Sequence, residues 1–226
     1  RDTLEMKYSD FPFIMMQTFL EKKYNKTLDI IANERIFDKM NLKRTMFNPN
    51  KNSLLYDNII PSEIDNYFRN QELKGYVHDM AAAMLGGIAG HAGLFSNSFE
   101  VASLMQMYLN KGNYDGKNFF SSETFEKFNN CIYCSNGNRR GVGFDKPQIE
   151  GSGSTCGCVS RESFGHSGFT GTFAWADPVE KIIYVFLSNR TYPSMDNTLL
   201  IDHSIRTRIQ KIIYDSILIK KNKNWK

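Results

Sequence analysis

Long hydrophobic runs are missing from this 226-residue sequence. No uninterrupted apolar run is longer than that of residues 182–187, whereas a helix that spans a bilayer needs about 18 to 20 residues. A membrane-spanning helix is therefore not expected. No signal peptide opens the chain either. Because the chain opens on Arg1 and reads as folded structure within a few residues, we expect an upstream portion that this sequence does not include.

Charge of one sign is also scarce in the body of the chain. The formal net charge is +4, and the last seven residues contain four lysines, Lys220, Lys221, Lys223 and Lys226. Without this tail, which we interpret as a solvated end, the body is close to neutral. A nucleic-acid-binding face requires a basic patch or stripe, so no nucleic-acid partner is expected. With 41% hydrophobic and 23% charged residues, the composition is that of an ordinary globular protein.

Motifs of several common enzyme classes are absent as well. The four histidines, His78, His91, His166 and His203, show no HExxH or other metal-ligand spacing, so neither a catalytic metal nor another cofactor is expected. The GxSxG sequence that holds the nucleophile of α/β-hydrolases does not occur. The small-residue run 86–93 lacks the following Lys-Ser/Thr pair of a phosphate-binding loop, so we interpret it as a place of tight backbone packing.

Cysteine occurs only four times, as a CxxC pair followed by a CxC pair. The residues are Cys131, Cys134, Cys156 and Cys158, and the segment between the pairs is rich in Gly, Ser and Asn. Two such pairs could form a zinc site, form one or two disulfides, or remain free thiols. Because zinc sites usually repeat CxxC, we expect disulfides or structural thiols that hold a loop, with the zinc site as the alternative.

Hydrophobic periodicity predicts helices first and an antiparallel sheet afterwards, an α+β pattern in which helices flank the sheet. Asp177-Pro178 begins a short turn between two strand-like runs, and strands joined so closely are antiparallel. We expect a single domain over residues 1–226, mainly helical over 1–130, with hairpin strands and a closing helix over 131–226. The predicted helices cover residues 12–23 (buried), 28–39, 98–111 (after a capping box from Asn97 to Glu100) and 197–220 (with Ile212 on its apolar side). A shorter helix is predicted to start near Ser122 and to bury Phe125 and Phe128. The predicted strands cover residues 141–144, 169–176 and 181–188 (fully buried).

Two short segments carry the polar side chains best placed for chemistry. A glycine-rich turn within residues 164–172 holds His166-Ser167-Gly168 and leads into a strand of β-branched and aromatic residues. The second segment, Tyr8-Ser9-Asp10, precedes the first helix. Taken singly, a tyrosine before a helix is more often a packing residue, and a histidine in a turn is more often structural.

Together, these segments resemble the serine β-lactamase and penicillin-binding-protein-like family, nearest its class C and esterase-like members. Tyr8-Ser9-Asp10 resembles the tyrosine motif YxN, with Asp10 where the family most often has Asn. His166-Ser167-Gly168 resembles the histidine form of the Lys-Thr-Gly triplet. Residues 87–96 (GIAGHAGLFS) and 165–189 also resemble the family's sequence around a helix and a β-hairpin. The resemblance implies the C-terminal portion of a β-lactamase/transpeptidase-like fold, incomplete at its N-terminus.

The same resemblance implies an acyl-transfer site. Tyr8 would act as general base and proton shuttle, and the backbone N–H of Phe169 would be one donor of the oxyanion hole. His166 would donate a hydrogen bond to a substrate carboxylate or to Tyr8. The residues that would support these groups are Asp10, Ser167 and Gly168. Arg69 and Arg190 are further candidates for binding a carboxylate.

The nucleophile of this family is the serine of an SxxK motif, and no SxxK occurs in the sequence. In the family this motif precedes the tyrosine motif by a long stretch, so we expect it upstream of Arg1. The resemblance therefore implies a serine hydrolase of the β-lactamase, DD-peptidase or esterase type, which acts on an amide or ester and is inactive as this chain alone. The alternative is a non-catalytic binding or scaffolding domain that keeps the fold.

A narrower resemblance concerns residues 75–97 (GYVHDMAAAMLGGIAGHAGLFSN). This segment is similar to β-lactamase-like domains that follow family 3 glycoside hydrolase domains in Bacteroidetes. It implies a cell-envelope location, either periplasmic or associated with the outer membrane. The implied partners are a small-molecule or peptidoglycan-derived substrate, the N-terminal part of the same domain, and a glycoside hydrolase domain in the parent protein.

Overall fold

A computed structural model describes residues 7–134, 138–148 and 153–223. Its helices are α1 (Phe11–Tyr24), α2 (Leu28–Ala32), α3 (Asp38–Met40), α4 (Ser53–Tyr56), α5 (Met80–Met84), α6 (Ser98–Leu109), α7 (Ser122–Asn129), α8 (Leu199–Asp202) and α9 (Ile205–Lys223), with a π-helical segment (Asn33–Phe37) between α2 and α3 and a 3₁₀ turn (Pro49–Lys51). Its strands are β1 (Met46–Phe47), β2 (Ile64–Asp65), β3 (Gln71–Glu72), β4 (Leu94–Phe95), β5 (Asn113–Tyr114), β6 (Lys117–Asn118), β7 (Phe164–Ser167), β8 (Phe173–Asp177) and β9 (Ile182–Phe186). The α+β class predicted from the sequence is confirmed.

Helix α1 has nearly the predicted bounds but not the predicted burial. Pro12 lies in its first turn, where the missing N–H costs nothing, and Asn25 ends it in a left-handed conformation (φ 50°). Gln17 is its one buried residue. The large apolar side chains of α1 are mostly exposed, namely Phe11, Phe13, Met15, Met16 and Phe19. The prediction of a buried helix is therefore wrong for this chain, because no described element covers that face.

The small-residue run 86–93 packs against α1, as expected. A Cβ atom on Gly90 would lie 2.5 Å from the carbonyl oxygen of Phe13, so only glycine allows this approach of the two backbones. The Gln17 side chain completes the contact, because its amide donates to the Ile88 carbonyl and accepts from the Gly90 N–H, both at 3.0 Å. This contact fixes α1, which begins just after Tyr8, against residues 86–93.

Helix α6 begins with the predicted Asn97 cap, and α7 begins at the predicted position. The Asn97 side chain accepts a hydrogen bond from the Glu100 N–H at 2.9 Å, but the Glu100 carboxylate does not return to Asn97 as a full capping box requires. Instead it accepts hydrogen bonds from the Thr45 hydroxyl (2.6 Å) and from the backbone N–H groups of Lys43 and Arg44. In α7, Phe125 is buried as expected, whereas Phe128 is 54% exposed.

The largest sheet has the order β7–β8–β9, with antiparallel neighbours throughout. The hairpin predicted at Asp177 is confirmed, since its carboxylate accepts from the N–H groups of Val179 (3.0 Å) and Glu180 (3.2 Å) in the turn. The prediction that the last strand is fully buried is wrong, because Tyr184 is the buried residue of β9 and its neighbours are only partly covered.

Two further strand predictions need correction. Residues 141–144 do not form a strand, because Gly143 adopts a positive φ of 102° that interrupts the extended backbone. The ladder passes through Asp145, whose backbone exchanges hydrogen bonds with Gly165 at 2.8 and 3.1 Å. His166 and Ser167 lie on strand β7, not in a turn, and pair with Ala174 and Phe173 of β8.

The predicted terminal helix is interrupted. Ser204 adopts a positive φ of 50° between α8 and α9, so one continuous helix over 197–220 is wrong. Tyr214 and Gln210 are buried, and the Tyr214 hydroxyl donates to the Asp177 carboxylate at 2.8 Å. Ile212, predicted on the apolar side of this helix, is 65% exposed. Among the described residues, no helix is both long and apolar enough to cross a membrane.

Asp65 is fully buried at the start of the β2–β3 hairpin. It accepts hydrogen bonds from Arg69 Nε (2.9 Å) and from the backbone N–H groups of Phe68 (2.8 Å) and Tyr67 (3.2 Å). Burial alone would raise the pKa of Asp65. The hydrogen bonds from Arg69 and the backbone outweigh it and lower the pKa to about 2.

Acid is therefore expected to weaken the fold through Asp65. A folded-state pKa below the unfolded value stabilises the protein above the unfolded pKa of about 4, and that contribution of about 2 kcal/mol is lost as the pH falls towards 2. Urea unfolding at pH 5 and pH 2.5 measures the loss. Asp65→Asn should be less stable at pH 5 and lose less on acidification, and an unchanged pH dependence in this variant would contradict the assignment.

Candidate active site

His166 is presented by strand β7 beside a glycine that its packing requires. A Cβ atom on Gly165 would lie 2.4 Å from the indole of Trp175 and 2.2 Å from the Ala174 carbonyl, so the strand closes tightly onto β8. The imidazole Nδ1 of His166 lies 2.8 Å from the Ser167 carbonyl oxygen. Its Nε2 lies 3.2 Å from Nη1 of Arg140.

These two contacts occupy both ring nitrogens of His166. A guanidinium only donates hydrogen bonds and a carbonyl oxygen only accepts them. Nε2 therefore accepts from Arg140, and Nδ1–H donates to Ser167. The expectation that His166 donates to Tyr8 or to a substrate carboxylate does not match this arrangement, because its one N–H is already directed at the backbone.

Arg140 and Asp145 form a part of the site that the sequence analysis missed. Nη1 of Arg140 lies 2.7 Å from Oδ1 of Asp145, and Nη1 of Arg139 lies 2.9 Å from Oδ2 of the same carboxylate. The guanidinium of Arg140 also lies over the ring of Tyr8, 5.2 Å from its centre. Adjacent arginines five and six residues before a buried aspartate were the available signal, but their nearness to His166 depends on the bridge between Asp145 and Gly165.

Tyr8 lies at the same cavity as His166. The cavity has a volume of about 300 Å³, and its walls include Tyr8, His166, Arg140, Ile132 and Tyr133. Partial burial raises the pKa of the Tyr8 phenol, the negative charge of Asp10 raises it further, and the positive charge of Arg140 opposes both. Tyr8 is 61% exposed.

The supporting residue Asp10 acts on Tyr8 through its charge. Asp10 occupies the position just before α1, but its side chain makes no capping hydrogen bond to that helix. Ser9 does contact the helix start, because its hydroxyl accepts from the Phe11 N–H at 3.3 Å. The YxD segment is thus held at the mouth of the cavity by the first turn of α1.

Phe169 lies beyond the triplet, in a turn and not among the walls of that cavity. The turn closes through a hydrogen bond from the Gly171 N–H to the Gly168 carbonyl at 3.0 Å. No acceptor for the Phe169 N–H occurs among the described residues, so this donor is available. Nε of Arg190 donates to the Phe169 carbonyl at 2.9 Å, and the Phe169 ring lies between the His78 ring (5.5 Å) and the Arg190 guanidinium (4.5 Å).

Arg69 and Arg190, the candidate carboxylate binders, are used within the structure. Arg69 contacts Asp65 and donates to the carbonyls of Val77 and His78. Arg190 donates to the carbonyls of Met195 and Asn197 in addition to that of Phe169. Neither is a free cation at the cavity.

The remaining histidines have structural partners or lie away from the cavity. Nε2 of His78 lies 2.9 Å from the Glu63 carboxylate, and Nε2 of His91 lies 3.0 Å from that of Asp79. Asp79 also caps α5 by accepting from the Ala82 N–H. These pairs hold the segment from 61 to 93 in place.

The cysteines form two local disulfides, Cys131–Cys134 and Cys156–Cys158. Free thiols do not occur among the described residues, and no three potential metal-ligand side chains come together there. The structure therefore agrees with the disulfide interpretation and not with the alternative zinc site. The first disulfide encloses Ile132 and Tyr133, two walls of the cavity.

The structure combines an antiparallel sheet, surrounding helices, a His-Ser-Gly triplet at the end of β7 and a tyrosine at the same cavity. These are the features expected of the β-lactamase and transpeptidase class of folds. The chain belongs to the β-lactamase family. The sequence profile of that family, described as Beta-lactamase, matches residues 4–204.

Related sequences point to the same family. One relative is an Escherichia coli K12 protein to which the name D-alanyl-D-alanine carboxypeptidase has been assigned provisionally. It is 32% identical to this chain over 200 residues, which cover 82% of this chain and 45% of that protein. A Salmonella typhi protein of the same name is 31% identical over 212 residues, and the match covers 46% of its length. The chain thus spans less than half the length of these relatives.

Solved structures share the fold at low sequence identity. A β-lactamase from Mycobacterium bovis superposes with a TM-score of 0.60 at 16% identity, over 96% of this chain and 65% of that one. EstCE1, described as a hydrolase with promiscuous acyltransferase activity, gives a TM-score of 0.64 at 15% identity, over 93% of this chain and 56% of its own.

Proposed function

We propose that this chain is the portion of a serine hydrolase domain that carries the tyrosine and His-Ser-Gly motifs, and that the complete domain transfers acyl groups from an amide or ester. One observation carries the proposal. Tyr8 and His166 are 158 positions apart in the sequence, yet they line one cavity. Each belongs to a segment that resembles a motif of the family, so their meeting favours a shared role over two unrelated packing roles.

The roles follow from what each group can do. Tyr8 takes the proton of the nucleophilic serine as general base, and Asp10 and Arg140 set the charge around its hydroxyl. The Phe169 N–H stabilises the oxyanion. Two observations support this role: that N–H has no acceptor among the described residues, and Arg190 donates a hydrogen bond to the Phe169 carbonyl. Ser167 and Gly168 place this donor, Ser167 by accepting from His166 and Gly168 by closing the turn.

The nucleophile comes from an N-terminal part of the same domain. The sequence holds no SxxK, and the curated relatives are more than twice as long as the matched region. The exposed apolar face of α1 supports a covering partner, since five large side chains lie open there. The free edge of the sheet supports it also, because β9 pairs only with β8 among the described strands.

The substrate is a small molecule or peptide derived from peptidoglycan, processed in the cell envelope. The names of the E. coli and Salmonella relatives support this class, because a D-alanyl-D-alanine carboxypeptidase cleaves a peptide bond by acyl transfer. A periplasmic or outer-membrane location and a glycoside hydrolase domain in the parent protein complete the proposal. They rest on the resemblance of residues 75–97 alone.

Covalent labelling tests the proposed function. The complete protein and this chain are incubated with a fluorescent penicillin and with a nitrophenyl ester. We expect a labelled band and ester turnover from the complete protein and neither from this chain, because the chain lacks the serine. Labelling of the short chain itself would contradict the assignment of the nucleophile. Gel filtration adds a check on the open surfaces, since a clean monomer would argue that they need no partner.

The second candidate function is a binding or scaffolding domain that keeps the fold without catalysis. The Cys131–Cys134 disulfide beside the cavity and the exposed apolar face of α1 suit a binding surface as well as an enzyme. An upstream sequence without SxxK, together with no labelling of the complete protein, would favour this candidate.

A further inference from the structure

Two adjacent arginines share one buried carboxylate next to the cavity. The Asp145 side chain is only 3% exposed, and it faces Nη1 of both Arg139 (2.9 Å) and Arg140 (2.7 Å). Two positive charges meet one negative charge, so the cluster keeps one net positive charge. A charge so placed affects every ionisable group nearby, because the surroundings screen it less than bulk water does.

The carboxylate has a fixed position. Asp145 exchanges two backbone hydrogen bonds with Gly165, at 2.8 and 3.1 Å, so it is tied to the strand that carries His166. Its side chain therefore holds the guanidinium of Arg140 at a set distance from the imidazole on the next residue of that strand. Arg139 contacts the other carboxylate oxygen and has no contact with His166 or Tyr8.

The contact of Arg140 with His166 selects one form of the ring. Arg140 can only donate, so Nε2 must carry a lone pair, and the ring proton lies on Nδ1, 2.8 Å from the Ser167 carbonyl. Oδ1 of Asp145 lies 4.0 Å from the same Nε2. The contact therefore favours the Nδ1–H tautomer of the neutral ring, and Arg140 places a positive charge beside Nε2.

The contact with Tyr8 places the same cation where a phenolate would form. The Arg140 guanidinium lies 5.2 Å from the ring centre, within the range of a cation–π contact. The other charged groups that act on Tyr8 are Asp10 and Asp145, which oppose ionisation. Lys7 and His166 line the same cavity. Arg140 is thus the group that favours the ionised tyrosine.

We propose that Arg140, anchored by Asp145, is a positioning residue that supplies positive charge to the site, by selecting the Nδ1–H tautomer of His166 and facing the ring of Tyr8. Arg140 serves acyl transfer only if the proposed function holds. The form of His166 and the charge beside Tyr8 do not depend on catalysis, so they can be measured without a nucleophile or substrate.

Nuclear magnetic resonance of labelled protein tests the assignment. With ¹⁵N-histidine, and His166→Gln to assign the signal, the neutral ring should show the Nδ1–H tautomer. With ¹³C-tyrosine, and Tyr8→Phe to assign the signal, Arg140→Met should move the Tyr8 titration midpoint upwards, because the opposing cation is gone. Arg139→Met is the matched control. It removes an equal charge from the same carboxylate but leaves the cation that faces Tyr8, so it should move the Tyr8 midpoint less than Arg140→Met does.

The conservative variant separates charge from shape. Arg140→Lys keeps the cation and should keep the Tyr8 midpoint, which a purely structural role of the guanidinium would not predict. An Nε2–H tautomer of His166, or an unmoved Tyr8 midpoint in Arg140→Met, would overturn the proposal. If Arg140→Met does not fold, the tautomer of the unchanged protein and the midpoint of Arg140→Lys still decide it. Failure of the proposed function would instead appear as no covalent labelling of the complete protein.

Discussion

If Tyr8 is the proposed general base, replacing it with phenylalanine in the complete protein is expected to slow acyl transfer by about 10²- to 10⁴-fold, the usual contribution of such a group. The change keeps the ring, which contacts Arg140 at 5.2 Å, and removes only the hydroxyl. The fold should be unaffected, because the ring is 61% exposed and its hydroxyl is not needed for packing. The rate of nitrophenyl ester hydrolysis and the rate of labelling by a fluorescent penicillin both measure the loss.

The pH profile gives this prediction a direction. Partial burial and then the charge of Asp10 raise the pKa of Tyr8, and a base must be ionised to take a proton. The rate that depends on Tyr8 should therefore increase towards alkaline pH, and Tyr8→Phe should remove that increase along with the rate.

Tyr24→Phe is the matched control. Tyr24 is the last residue of α1, and its ring lies against the guanidinium of Arg35 at 4.0 Å. It resembles Tyr8 in pairing a ring with an arginine, but it is not a wall of the Tyr8 cavity. Its replacement should leave the rate unchanged. Full activity in Tyr8→Phe would remove Tyr8 from the mechanism while leaving the family assignment intact.

The parts of this fold that follow from local rules could be predicted from the sequence. The start of α6 depends on Asn97, and the hairpin depends on the Asp177 turn, so neighbouring residues suffice to indicate them. The burial of α1 and β9 could not be predicted in the same way. An apolar side chain is more stable when it is buried, but whether it is buried depends on which other elements pack against it.

The candidate site shows the same division. The motifs that contain Tyr8 and His166 are visible as short sequences, and their shared cavity agrees with a common site. The role of Arg140 is not visible, because it depends on a bridge between Asp145 and Gly165, twenty residues apart. The donor role expected of His166 depends on the same neighbour. Which nitrogen carries the proton is set by a neighbour that no motif names.

Replacing Trp175 with alanine is expected to lower the free energy of unfolding by about 3–5 kcal/mol, the usual cost of truncating a buried aromatic side chain. Trp175 is 1% exposed at the centre of β8 and stacks on Phe173, with ring centres 5.6 Å apart. Its indole also lies against Gly165, where a Cβ atom would come within 2.4 Å of it. The truncation would therefore leave a cavity directly behind the strand that carries His166. Urea unfolding followed by circular dichroism measures the loss.

Two further variants separate packing from polarity and position. Trp175→Phe should cost less than the alanine variant, because it keeps an aromatic ring and removes an indole N–H that is buried without a hydrogen-bond partner. Phe99→Ala truncates an aromatic residue that is 78% exposed and should change stability by less than about 0.5 kcal/mol. Equal losses at Trp175 and Phe99 would contradict the assigned core. A large loss at Trp175 alone would mean that the hairpin core depends on this side chain, which packs directly against the strand that carries His166.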